Sequence, residues 1–234
     1  MIRLCVFDLD GTLSDTLESI ALYGNEALRE CGYPAEIPTD RFRYLVGEGV
    51  DVLIARMLRE AGVPEEQSPE DTARLREAFL RRYTQEPLRM ARAYDGVAEM
   101  LRVLRDRGIR LAILSNKPHD LVRPVVSHLF ADIPFACCYG QREGVPRKPD
   151  PQGLLQILEE LGIPKEDCLY VGDTGVDMQT GRRAGVRTVG VLWGFRDQKE
   201  LQETGADAIV CSPKELLPLC GDGAFLQKEL NENR

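Results

Sequence analysis

The sequence predicts an α/β fold, a doubly wound parallel sheet interrupted after its first strand by a small helical domain. Three observations carry this expectation. Leu4 to Phe7 is apolar at every position, as a parallel strand buried on both faces requires. From about residue 15 to about 88, apolar residues recur only at helical spacing. From Asp95-Gly96 onward, buried-strand runs alternate with amphipathic helices, which right-handed crossovers assemble into one Rossmann-like sheet.

The elements follow in order. After Leu13, Ser14 and Asp15 are candidate caps for a helix through Leu17, Ile20, Ala21, Gly24 and Leu28 that ends at Cys31-Gly32. A second helical stretch begins near Pro38 and passes Phe42 to Val46, where Gly47-Glu48-Gly49 interrupts it. Val50, Leu53, Ile54, Met57 and Leu58 mark a third helix, and Leu75, Ala78 and Phe79 a fourth reaching about Gln85. Helices bracketed by strands imply an insertion, so residues 15–88 are expected to form a helical cap on a core of 1–14 and 89–234, with Pro87 to Ala93 as the return hinge.

Within the core, Val97 to Leu104 is a helical stripe ended by Arg107-Gly108, and Ile109 to Leu114 a second strand stopping at Ser115-Asn116-Lys117-Pro118. A helix through Leu121, Val125 and Leu129 precedes a short strand near Phe135 to Tyr139, then the turn-rich stretch from Gly140 to Pro151. Leu154, Leu158 and Leu161 share a helix face. Strands are expected at Cys168 to Val171, Thr188 to Leu192 and Ala208 to Val210, and a terminal helix is expected beyond Gly221.

With 234 residues, 43% of them apolar, the chain can bury a sizeable core. A formal charge of −8 gives no global basic field, which excludes binding to nucleic acid or an anionic membrane by bulk electrostatics. Arg81-Arg82 and Arg182-Arg183 are then solvated helix faces. Seven cysteines without a metal-type Cys-x-x-Cys spacing argue for reduced thiols. The chain shows no charged-then-apolar leader and no run near the ~18 apolar residues of a membrane span, so a soluble cytoplasmic protein, monomeric or homodimeric, is expected.

The most specific stretch is Asp8-Leu9-Asp10-Gly11-Thr12-Leu13. Two carboxylates two residues apart on extended backbone leave on one face, at the strand's carboxyl end, where α/β sheets bind ligands. Keeping both ionised calls for a cation such as magnesium. Gly11 permits a tight turn, Thr12 offers a backbone N–H and a hydroxyl to an anion, and both are candidate phosphate-binding residues. An isolated Asp-Gly is usually only a solvated turn, but this hexad resembles the first motif of the haloacid dehalogenase-like phosphohydrolases.

Three later clusters complete that resemblance. Ser115-Asn116 at the second strand's end offers donors to a phosphate oxygen. Lys117 and His119 behind them are expected to face solvent, with Lys117 a weaker candidate for substrate contact. Lys148, between Arg147 and Pro149, has its backbone fixed by flanking prolines and can offset charge on a phosphate. Asp173 and Asp177 lie one helical turn apart: Asp173 is expected to meet the metal directly, and Asp177 either through water or by holding Lys148. The resemblance implies that Asp8 is nucleophile and metal ligand, and that Asp10 is acid/base and binds magnesium through its backbone carbonyl. It also implies that Ser115 and Lys148 bind phosphate and that Asp173 binds metal. The chemistry implied is phosphomonoester hydrolysis through an aspartyl-phosphate.

The helical insertion resembles the small cap of the subgroup that contains phosphoglycolate phosphatase, β-phosphoglucomutase and the bacterial pyrophosphatase, and Gly47, Glu48 and Gly49 are its candidate substrate loop. Leu45 to Val50 together with the second and fourth motifs is most similar to the phosphoglycolate phosphatases, implying a small phosphorylated metabolite, 2-phosphoglycolate first. Pyrophosphate, nucleoside monophosphates and sugar phosphates, including mutase chemistry, are alternatives; a non-catalytic binding module ranks below them because the catalytic set is intact. Trp193-Gly194-Phe195 is a candidate wall of the entrance.

Overall fold

A computed structural model describes residues 1–33, 36–63 and 69–221. In chain order the strands are β1 (Leu4–Phe7), β2 (Ser14–Asp15), β3 (Arg92–Ala93), β4 (Arg110–Pro118), β5 (Cys137–Gln141), β6 (Cys168–Gly172), β7 (Arg187–Val191) and β8 (Ala208–Val210). The helices are α1 (Leu17–Glu30), α2 (Thr39–Phe42), α3 (Val50–Glu60), α4 (Pro69–Gln85), α5 (Val97–Asp106), α6 (His119–Leu129), α7 (Gln152–Leu161), α8 (Gly175–Ala184), α9 (Gln198–Glu203) and α10 (Leu216–Leu219).

Six parallel strands form the main sheet in the order β5-β4-β1-β6-β7-β8. β1 pairs with β4 on one side and β6 on the other, Leu4 lying opposite both Arg110 and Cys168. Chain order reverses there, so β1 ends at the sheet's switch point. Its continuous apolar run has the expected cause. Cys5 and Phe7 enter a cluster with Val97, Leu101 and Leu104 of α5, whereas Leu4 and Val6 enter another with Leu154, Ile157 and Leu158 of α7. Both faces are covered, so neither can be polar.

Helices α1 to α4 gather around a third cluster that includes Tyr23, Leu28, Phe42, Ile54, Met57, Leu75, Phe79 and Tyr83. Leu121 of α6 and Phe195 close this cluster from the sheet side. The chain passes between sheet and helices through a two-stranded antiparallel ribbon, with Ser14 opposite Ala93 and Asp15 opposite Arg92. The Arg92 guanidinium pairs with Asp15 at 2.8 Å.

Several local expectations are corrected. Ser14 and Asp15 are ribbon residues; the residue capping α1 is Thr16, and Asp15 only accepts a 3.4 Å bond from the Leu17 amide. The helix expected from Pro38 to Val46 is regular only over Thr39–Phe42. β4 does not stop at Leu114 but continues with a register shift to Pro118, and β5 begins at Cys137. The terminal helix expected beyond Gly221 falls outside the described residues. All seven cysteines are free, and Cys5 and Cys220 approach to 3.7 Å. Among the described residues no helix is long and apolar enough to cross a membrane.

Candidate active site

The four sequence clusters meet at the carboxyl edge of the sheet. Asp8 extends β1, its amide bonded to the Val171 carbonyl at 2.9 Å, and its Oδ1 accepts from the Leu9 amide at 2.7 Å. The backbone bends at Leu9, so the straight extension expected through Asp10 does not occur; nonetheless both carboxylates line one pocket. That pocket encloses about 60 Å³ between the sheet edge and helices α1, α3 and α4.

Lys148 is buried with its Nζ 3.0 Å from Asp8 and 2.7 Å from Asp177. Burial works against its charge, but Asp177 and Asp8 outweigh burial and keep it protonated well above the usual ammonium range. Asp177 also accepts the Thr174 amide and hydroxyl at 3.1 and 2.7 Å, forming the capping box that starts α8. Asp177 thus makes the contact to Lys148 that the sequence allowed for, and it also lies within the acidic group formed with Asp8 and Asp173.

Asp173 is fully buried. Its Oδ1 accepts the Thr12 hydroxyl at 2.8 Å, and its Oδ2 accepts the Phe195 amide at 2.9 Å. Among the described residues no cation pairs with it, although Asp8, Asp173 and Asp177 bring oxygen atoms within 4.8 Å of one another. Burial, with Asp177 and Asp8 adding to it, pushes the Asp173 carboxyl up to about 8. Burial likewise pushes Asp8 up to about 7, against the pull of Lys148. With all three ionised, Asp8, Asp173 and Asp177 would carry two more charges than the Lys148 ammonium offsets, and an all-oxygen donor set suits a hard divalent cation. Asp8 and Asp173 fit that group as ligands.

Gly11 explains how the acids can lie so close. Its φ is +89°, and a Cβ there would stand 2.3 Å from Asp173 Oδ2. The expectation that Gly11 and Thr12 offer donors to phosphate is corrected. The Gly11 amide is bonded to the Ser14 carbonyl, the Thr12 amide to the Leu9 carbonyl, and the Thr12 hydroxyl to Asp173. Both residues build the acidic centre.

Ser115 lines the pocket and accepts from the Lys117 amide at 3.3 Å, leaving its hydroxyl proton to donate. The Asn116 side chain is fully engaged. Its Nδ2 donates to the Gly47 and Lys148 carbonyls at 3.0 and 3.1 Å, and its Oδ1 accepts the Lys148 amide at 2.9 Å. Asn116 thus positions Lys148 and ties it to the loop between α2 and α3, rather than contacting phosphate through its amide. In that loop Gly47 and Gly49 line the pocket, whereas Glu48 pairs with Arg56 and is not among the lining residues.

Lys117 and Tyr83 make contacts that the sequence did not disclose. Lys117, expected to face solvent and only a weaker candidate for substrate contact, is buried: its Nζ lies 3.1 Å from each Asp10 oxygen and is bonded to the Tyr83 hydroxyl. Asp10 also accepts the Thr16 hydroxyl at 2.8 Å. Phe195 lines the pocket, as expected for the Trp193 to Phe195 stretch, while Trp193 instead anchors the Thr12 carbonyl at 2.9 Å. His119 is exposed, as expected.

The sequence profile of the haloacid dehalogenase-like hydrolases matches residues 5–191, a span that includes Asp8, Asp10, Ser115, Lys148, Asp173 and Asp177. The chain belongs to that family. A phosphoglycolate phosphatase of Pseudomonas putida is 31% identical over 226 residues, 95% of this chain and 81% of that protein. The phosphoglycolate phosphatase of Vibrio cholerae is 33% identical over 214 residues, covering 89% of this chain and 92% of its own. A crystal structure from Lactobacillus delbrueckii subsp. bulgaricus, provisionally named a phosphoglycolate phosphatase, superposes with a TM-score of 0.86. It is 30% identical, over 94% of this chain and 98% of its own. This haloacid dehalogenase-like hydrolase therefore shares the fold of that structure over most of its length.

Proposed function

We propose that this hydrolase is a magnesium-dependent phosphomonoesterase whose substrate is 2-phosphoglycolate, with residues 15–88 serving as the cap over a core of 1–14 and 89–234. The reading rests on the buried Asp8, held 3.0 Å from the Lys148 ammonium beside Asp173, which has no cationic partner among the described residues. The relatives named phosphoglycolate phosphatase support the choice of substrate.

An Asp8 carboxylate oxygen attacks phosphorus, the bond to the ester oxygen breaks, and Asp10 gives its proton to the departing alkoxide. Asp10 then takes a proton from the water that attacks the aspartyl-phosphate, returning Asp8 and releasing inorganic phosphate. Lys148 and the Ser115 hydroxyl offset charge on the phosphoryl oxygens. Magnesium held by Asp8, Asp173 and the Asp10 carbonyl would supply positive charge to the same oxygens.

The test is phosphate release, with and without magnesium, from 2-phosphoglycolate, pyrophosphate, nucleoside monophosphates and glucose phosphates. Wild type and Asp8→Asn are compared. The expected result is a kcat/KM led by 2-phosphoglycolate and abolished by Asp8→Asn. Turnover surviving in Asp8→Asn overturns the mechanism, and another leading compound overturns the substrate.

A further inference from the structure

Resting on the phosphomonoesterase reading, we propose that Lys117 is the specificity-determining residue of the pocket: it receives a second anionic group on the substrate and, in doing so, releases Asp10 for proton transfer. Beyond the acids and Ser115, the pocket is lined mainly by hydrocarbon from Ile20, Val46, Val50, Leu53, Phe79 and Phe195, with Tyr83 and Asn116 beside them, and among the described residues Lys117 is the single cation in the lining. A charged group that a substrate carries beyond its phosphate ester therefore has this ammonium as its cationic partner there. A neutral alkyl tail gains nothing from Lys117, whereas a carboxylate or second phosphate gains charge-assisted hydrogen bonds in a desolvated site.

The nearby arginines do not compete for this role. Arg43 donates to the Gly194 carbonyl at 2.9 Å, Arg196 to the Arg43 and Val46 carbonyls, and Arg147 to the Glu48 carbonyl at 3.2 Å. Arg56 is taken by Glu48 and the Leu45 carbonyl. All four guanidiniums shape loops around the pocket and are absent from its lining.

The present partners of Lys117 explain the release. Asp10 is gripped by Lys117 through both carboxylate oxygens, with Thr16 on Oδ1, so drawing Lys117 away leaves Oδ2 wholly available to a leaving group. An ammonium has three N–H donors, here shared between Asp10 and the Tyr83 hydroxyl. An incoming anion replaces one of these acceptors. Recognition of the second charge and availability of the proton carrier are then one event, which favours two- and three-carbon phosphates bearing an acid over neutral esters of equal size.

The test compares kcat/KM for three second-anion phosphates, 2-phosphoglycolate, 3-phosphoglycerate and pyrophosphate, with that for ethyl phosphate, in wild type, Lys117→Met and Lys117→Arg. Wild type is expected to prefer at least one of the three over ethyl phosphate. Lys117→Met is expected to shrink that preference roughly 10- to 100-fold, mainly through KM, and Lys117→Arg to restore much of it. If Lys117→Met does not fold, Lys117→Gln keeps a donor to Asp10 without the charge and carries the same expectation. A preference surviving within threefold in the neutral variant overturns the proposal, as does a wild type indifferent to second anions. Should 3-phosphoglycerate or pyrophosphate lead and Lys117→Met erase that lead, the 2-phosphoglycolate reading falls while the role of Lys117 stands. No phosphate release from any ester overturns both.

Discussion

Replacing Asn116 by alanine isolates the positioning of Lys148 from its charge. The substitution removes three hydrogen bonds of 2.9, 3.0 and 3.1 Å, to the Lys148 amide, the Gly47 carbonyl and the Lys148 carbonyl. A net loss of about 0.5–1.5 kcal/mol per bond, with the larger cost of leaving the Lys148 N–H unpaired in a buried place, gives about 2–4 kcal/mol. For a chain of this size each kcal/mol lowers Tm by about 2–4 °C, so a fall of roughly 4–16 °C is expected. The catalytic effect is separate. With its backbone released, Lys148 can move relative to Asp8, and a displacement near 1 Å typically costs about 10²-fold in rate. The assay is kcat/KM with 2-phosphoglycolate at a temperature where circular dichroism shows the variant folded, beside its melting curve. A variant that melts early yet keeps kcat/KM within threefold of wild type refutes the positioning role and leaves Asn116 as a purely structural bridge.

Two further outcomes follow from the acidic centre. Because burial pushes the Asp8 and Asp173 carboxyls up to about 7 and about 8, the folded protein without metal holds more protons than the unfolded chain between about pH 4 and pH 8. The contribution of these two acids to stability is therefore full below about pH 4 and is lost as pH rises through their folded values. Magnesium competes with those protons, so its gain in Tm over a chelated sample is expected to be larger at pH 9 than at pH 6; equal gains refute the assignment of these acids to the cation. Gly11→Ala places a Cβ 2.3 Å from Asp173 at a φ of +89°, and is expected to lower kcat/KM at least ~100-fold, measured beside magnesium titration.

What the sequence disclosed was chemistry fixed by short-range spacing. Asp8, Lys148 and Asp173 each follow a strand or precede a helix, so their position at the sheet edge follows from the periodicity around them. The run Leu4 to Phe7 announced its double burial by lacking any polar residue. What escaped were contacts made across the fold. Lys117 obeys the rule that a lone lysine is solvated until Asp10, 107 residues earlier, and Tyr83, 34 residues earlier, are brought against it. Tyr83 follows Leu75 and Phe79 at helical spacing and counts as one more apolar residue on α4, and nothing local reveals that its hydroxyl reaches the core. Thr12 has the same character. Its hydroxyl suits an anion by type, and only the approach of α8's leading loop shows that the anion is Asp173.

The β2–β3 ribbon bears on how such a molecule diversifies. Because Ser14 lies opposite Ala93 and Asp15 opposite Arg92, the helical segment leaves and rejoins the sheet at two adjacent backbone positions. Paired antiparallel residues are close enough for a tight turn to bridge. From the sheet's side, the whole helical segment is thus a single long loop between neighbouring strands. Its length and content can change without altering the register of any of the six core strands.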